Sequence, residues 1–207
     1  MAFRTDAESG RRTIVRAMER YSLTTAGRFN IAHQQRAPIR TRDGEREARW
    51  GLLAPWRGHG GKRGPMVFGA DEATITATPM LRTARAKRRC LVHADGWFAW
   101  RAIGKKRRPY WIHAPAPVVF AGVVATHADD GVESFAIVMV PAVGIVAPIA
   151  AVMPAVVDEA WLASPELVVR GLVGWRADAV SSRVDDTAHD DAACVVPLGN
   201  PAQGELF

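Results

Sequence analysis

Arg89-Cys90-Leu91-Val92-His93-Ala94-Asp95-Gly96-Trp97-Phe98-Ala99-Trp100 decides the fold. Two short apolar and aromatic runs flank Ala94-Asp95-Gly96, whose composition is that of a turn, so the stretch reads as two short strands. The same pattern extends outward. Arg49 to Trp56, Tyr110 to His113, Val118 to Ala125 and Ser134 to Val140 are further β-rich runs separated by turn signals. Helical stretches are fewer. Thr78 to Lys87 carries Pro79 followed by good helix formers, and Val157 to Ala163 places Asp158 and Glu159 early, where a helix start favours negative charge. The expected class is α+β, with a mostly antiparallel sheet and a few helices.

The chain has 207 residues and is 48% apolar, enough for one domain with tails. Residues 1–18 read as a polar extension, 19–184 as the domain, and 185–207 as a polar tail rich in Asp, Ala, Pro and Gly. Phe135 to Val157 comes nearest to a membrane span, but Pro141, Pro148 and Pro154 interrupt it, so no membrane partner is expected. The N-terminus shows no apolar signal segment, and Cys90 and Cys194 are too few for a disulfide framework. A reducing cytoplasm and a monomer are the expectation. His33, His59, His93, His113, His127 and His189 show no metal-ligand spacing, so neither metal nor cofactor is expected. Gly58-His59-Gly60-Gly61-Lys62 lacks the spacing of a phosphate loop and reads as a surface turn.

Charge narrows the partners. Lys plus Arg number 27 against 21 Asp plus Glu, a net charge of +6. The excess is clustered at Arg57 to Arg63, Lys87-Arg88-Arg89 and Lys105-Lys106-Arg107-Arg108. Trp50, Trp56, Trp97 and Trp100 lie close to these clusters. Basic groups interleaved with exposed rings suit single-stranded nucleic acid, where phosphates meet cations and bases stack. The alternative is that the tryptophans are core and the basic runs are solvated loops. The last five residues, Gln203-Gly204-Glu205-Leu206-Phe207, have the shape of a short peptide that bacterial replication and repair proteins insert into the sliding clamp. Gln203 would hydrogen-bond at one end while Leu206 and Phe207 fill an apolar groove.

A series of short motifs then falls in order: Arg20-Tyr21-Ser22-Leu23-Thr24, Trp50-Gly51-Leu52-Leu53-Ala54-Pro55-Trp56, Arg88-Arg89-Cys90-Leu91-Val92, and Ala94-Asp95-Gly96-Trp97-Phe98-Ala99-Trp100. Pro109-Tyr110, Phe120-Ala121-Gly122, Met153-Pro154, Ala160-Trp161-Leu162 and Val180-Ser181-Ser182-Arg183-Val184 follow. Over about residues 20–197 the chain resembles the SOS-response-associated peptidase family of abasic-site-processing proteins. The resemblance implies a compact domain with a mostly antiparallel, β-barrel-like core, a few flanking helices and a positively charged channel for single-stranded DNA. It also implies an N-terminal cysteine that condenses with the ring-opened sugar of an abasic site to form a DNA–protein crosslink.

The departures fall on the chemistry. The resemblance places the family's cysteine at Met18, its asparagine at Gly69, its glutamate at Ala99 and its histidine at Ala150. Two of its arginines fall on Asp71 and Val152. Crosslinking needs a thiol and amine plus groups that move protons, and none stands at these positions. The sequence therefore points to a catalytically inactive member of the family. It would bind single-stranded DNA weakly through Arg20, Trp56, Arg57, Arg88 and Arg89, and dock on the sliding clamp through Gln203, Leu206 and Phe207. The alternative is an enzyme that uses another nucleophile, such as the α-amine or a lysine forming a Schiff base, with Lys62, Lys105 and Lys106 as candidates by charge.

Overall fold

The computed structural model describes residues 2–5, 12–15, 18–54 and 66–199. A hairpin of β1 (Ala2–Thr5) and β2 (Arg12–Val15) occupies the N-terminal extension. The rest of the chain builds one large sheet from β3 (Arg20–Leu23), β4 (Arg28–Ala32), β5 (Arg36–Thr41), β6 (Gly44–Trp50), β7 (Gly69–Asp71), β8 (Arg89–Ile103), β9 (Lys106–Thr126), β10 (Glu133–Pro141), β11 (Val152–Pro154), β12 (Val156–Val157) and β13 (Arg176–Ala179). Two helices flank it, α1 (Pro79–Lys87) and α2 (Ala160–Ala163).

The sheet closes on itself. β8 pairs with β9, β9 with β10, β10 with β6, β6 with β5, and β5 returns to β8. Four of these five pairings are antiparallel, and β6–β10 is parallel. Closure leaves the ring no open edge. Inside it, Trp50, Tyr21, Phe120 and Trp97 form an aromatic chain with ring centroids 5.2, 6.3 and 5.8 Å apart, all edge-on, and Phe135 stacks on Trp50 at 6.4 Å. Edge-to-face packing suits the ring quadrupole and fills the interior with few side chains. Trp50, Trp97 and Trp161 are thus core residues.

The central hairpin differs from the sequence expectation. Arg89 to Trp100 is not two strands around a turn but part of one 15-residue strand. The Asp95-Gly96 signal marks a bulge instead. Between the pairs Ala94↔Val118 and Gly96↔His113, β8 advances by Asp95 alone while β9 runs through Ala114-Pro115-Ala116-Pro117. Two prolines there could not donate to the ladder, so the chain leaves it. The Asp95 carboxylate accepts from the Thr24 backbone N–H and, at 2.7 Å, from its hydroxyl. A Cβ on Gly96 would lie 2.4 Å from the Ile112 carbonyl oxygen, so only glycine fits. The real turn is Gly104-Lys105, with Gly104 in the left-handed region at φ +58°, as two-residue hairpin turns require.

Three other boundaries move. The strand expected from Arg49 to Trp56 ends at Trp50, where Gly51 takes φ +130°. The helix expected from Val157 begins at Ala160, because Val157 pairs with Val119 in the sheet. The acidic segment after Val184 packs onto the domain as far as the described residues go. Val184 and Cys194 are fully buried, and the Asp190 carboxylate accepts from Arg28 Nε at 2.5 Å and from the backbone N–H groups of Phe29 and Asn30 at 2.5 and 2.7 Å.

Candidate functional site

The antiparallel β8–β9 ribbon carries a cavity at each end. One, of about 260 Å³, is walled by the second half of β8 (Trp97, Phe98, Ala99, Trp100 and Ala102), by Arg107 of β9, by Met18 and Glu19 ahead of β3, and by Ile149 to Val152 ahead of and into β11. Three of the four positions that the resemblance marks as catalytic, Met18, Ala99 and Ala150, meet here. Val152, in place of an arginine, lies beside them. The fourth, Gly69, is not among the lining residues and pairs with Ile137 from β7, with Asp71 at the end of the same strand. Sequence order alone therefore brought three distant positions to one wall.

That wall is apolar. Met18 is buried, with its carbonyl accepting from His33 Nε2 at 3.0 Å. Since a carbonyl only accepts, the His33 proton sits on Nε2. His33 itself stacks on Phe68 with centroids 4.0 Å apart, and burial pulls its pKa down to about 4, against a smaller opposing effect of the Met18 bond. The titratable groups of the cavity are at its rim. Glu19 Oε1 pairs with Arg107 Nη1 at 3.3 Å. Arg107 lies over the Trp100 ring, 5.4 Å from its centroid, and Trp100 Nε1 donates to Asp185 at 2.7 Å. Arg20 joins this rim, donating to the backbone oxygens of Glu19 and Asp185 at 3.0 and 3.3 Å. Partial burial lowers its pKa, and the two carboxylates nearby oppose that.

No thiol serves this cavity. Cys90 is sealed in the barrel, and burial drives its pKa far up. Cys194 is buried under the C-terminal segment, with its pKa raised by the same cause. A thiol held protonated is a poor nucleophile. Lys105 and Lys106 sit at the exposed tip of the β8–β9 hairpin and do not line the cavity. Lys62 lies outside the described residues. No group of three or more His, Cys, Asp or Glu among the described residues could hold a metal ion.

The expected DNA-binding residues do not form one surface. Arg20 is at the cavity rim and pairs with Phe98, whereas Arg89 opens β8 nine residues earlier, roughly 30 Å along the strand at about 3.3 Å per residue, and Arg88 just precedes it. Arg89 is also corrected as a DNA contact. It is buried, and its guanidinium donates to the carbonyls of Trp161 (2.7 Å), Arg85 (2.7 Å), Ala86 (2.8 Å) and Leu162 (3.0 Å). It fastens the ends of α1 and α2 to the barrel. Trp56 and Arg57 lie outside the described residues, as do Gln203, Leu206 and Phe207. Arg107 and Trp100, absent from the expected set, carry the rim. The cation–aromatic pairing of Arg107 with Trp100 follows from their facing positions on neighbouring strands, which no single stretch of sequence displays.

Among the described residues no helix is long and apolar enough to cross a membrane. Two solved structures share the fold. A protein from Bacteroides thetaiotaomicron aligns with a TM-score of 0.71 at 21% identity, covering 88% of this chain and 98% of that one. One from Bordetella bronchiseptica aligns at 0.66 and 16% identity, covering 80% and 100%. The abasic site processing protein YoaM of Bacillus subtilis is 30% identical over 98 residues, 45% of this chain and 43% of that protein. The abasic site processing protein YedK of Escherichia coli is 24% identical over 128 residues, 59% and 55% of the two chains. These matches span about half the length of each relative. Residues 1–168 match the family described as SOS response associated peptidase (SRAP), and the chain belongs to that family.

Proposed function

We propose that this chain is a family member without crosslinking chemistry, an accessory of the DNA-damage response that holds single-stranded DNA weakly and docks on the replication sliding clamp. One observation carries it: Met18, Ala99 and Ala150 converge on a single cavity and present a thioether and two methyl groups where the family's chemistry would need a nucleophile and proton carriers. The names of the relatives supply the lesion, an abasic site. The rim supplies strand affinity. Arg20 and Arg107 offer positive charge and Trp100 offers a ring edge, while Glu19 and Asp185 keep that affinity modest. Such a role places a monomer in the cytoplasm at the nucleoid.

The experiment incubates purified protein with an abasic single-stranded oligonucleotide, with and without borohydride, and heats the products before electrophoresis. No heat-stable adduct is expected in either lane. An adduct that disappears when one residue, such as Lys105 or Lys106, is replaced would overturn the proposal in favour of an enzyme with a different nucleophile.

A further inference from the structure

The second cavity, at the opposite end of the β8–β9 ribbon, is the larger, about 650 Å³. Among the described residues five cations line it, Arg42, Arg46, Lys87, Arg88 and Arg89, against two carboxylates, Asp43 and Glu133, an excess of three. Both carboxylates turn to Arg46, Glu133 at 2.9 Å and Asp43 at 3.6 Å. Arg42 donates only to backbone carbonyls, those of Leu162 at 2.6 Å and Ala163 at 2.7 Å. These bonds fix the guanidinium without cancelling its charge. The carbonyl ends of α1 and α2 contribute at most about half a negative charge each, too little to balance the excess. Lys87 and Arg88 are exposed and have no acidic partner among the described residues. His127, also on the wall, faces its own carboxylates, Asp130 at 2.9 Å and Asp129 at 3.8 Å.

We propose that this cavity is a phosphate-binding site, separate from the Met18–Ala99–Ala150 cavity, and that it takes a phosphate ester through Arg42, Lys87 and Arg88. Arg42 is held in place before any ligand arrives, so its own ordering adds little to the cost of binding, which falls on Lys87 and Arg88. Burial and the neighbouring Arg42 and Arg85 already disfavour the charge on Arg89, and an anion would relieve that repulsion. Among the described residues no Trp, Tyr or Phe lines the cavity, so they offer no platform for a base and would read charge alone. The phosphate can come from a small phosphorylated molecule or from a nucleic-acid strand.

Pyrophosphate, without metal, is titrated calorimetrically into the full chain at low salt. One site per chain is expected, weakening steeply as salt rises. The double variant Lys87→Gln with Arg88→Gln should bind at least tenfold more weakly, and its fold should survive because both side chains are exposed. The pair Arg20→Gln with Arg107→Gln, at the other cavity, should change binding less than twofold. Absence of saturation, or equal loss in both double variants, overturns the proposal. With saturation established, competition by an oligothymidylate assigns the phosphate to a nucleic-acid strand, and lack of competition assigns it to a small ligand. None of these outcomes depends on whether the chain crosslinks abasic DNA.

Discussion

Single residues set both the apolar wall of the first cavity and the pH response of the residue behind it. His33 supports Met18 from behind as a neutral ring, its pKa lowered to about 4 by burial. In the unfolded chain the ring takes a proton near its ordinary value of about 6.5. Folding therefore excludes a proton between those two values, and the folded state loses stability as pH falls from 6.5 toward 4, with nothing lost above 6.5. Urea unfolding should show the wild-type midpoint falling across that window more steeply than that of His33→Gln. Parallel profiles would show that His33 does not carry the effect. Arg88 and Arg89 make the complementary point. They are adjacent in sequence and equally basic, yet one is exposed and the other is buried on four carbonyls. Arg88 caps α1 while Arg89 opens β8, so a basic cluster read as one patch divides between two elements.

At the scale of elements, α2 has only four residues and depends on its anchors. Arg89 supplies a planar fork that reaches carbonyls at the ends of both helices. Lysine keeps the charge but has no fork, so Arg89→Lys should strand part of this set at a cost of about 2–4 kcal/mol. For a domain of this size the melting temperature should drop by roughly 5–10 °C, with Arg88→Lys unchanged, as scanning calorimetry would show. The same elements show what the sequence could tell. Tyr110 to His113 and Val118 to Ala125 were legible as separate β runs, and the residues between them do leave the ladder. Asp95-Gly96 misled because a bulge and a turn use the same residues. A local pattern does not reveal that the Asp95 carboxylate is engaged by Thr24, 71 positions away. The three cavity positions were legible through motif order, whereas the rim pair Arg107–Trp100 exists only once the hairpin is folded.

For the molecule as a whole, docking on the clamp would use residues beyond the packed C-terminal segment. Leu206→Ala with Phe207→Ala should abolish saturable binding of a C-terminal peptide to the cell's own sliding clamp, where the unaltered peptide should bind at about micromolar strength. Binding indifferent to the double change would remove the clamp from the proposal. The acidic stretch that read as tail packs on the domain through Asp190, and the expected clamp residues Gln203, Leu206 and Phe207 lie beyond it, outside the described residues. The closed ring has one further consequence. Its β6–β10 pairing rests on Ser134↔Arg49 and Phe135↔Trp50, with the Gly51 N–H reinforcing it onto the Phe135 carbonyl at 2.8 Å, whereas β8–β9 runs from Ile103↔Lys106 to Arg89↔Val123. The short parallel seam joins segments 85 positions apart, so its loop-closure entropy is the largest in the ring, while its ladder of two pairs is matched in shortness only by β5–β8. Zippering should begin at the Gly104 hairpin and seal last at Trp50 and Phe135. Native-state amide exchange should accordingly find Gly51 opening by sub-global fluctuation well before Leu91 and Ala121, which are released only when the barrel as a whole comes apart.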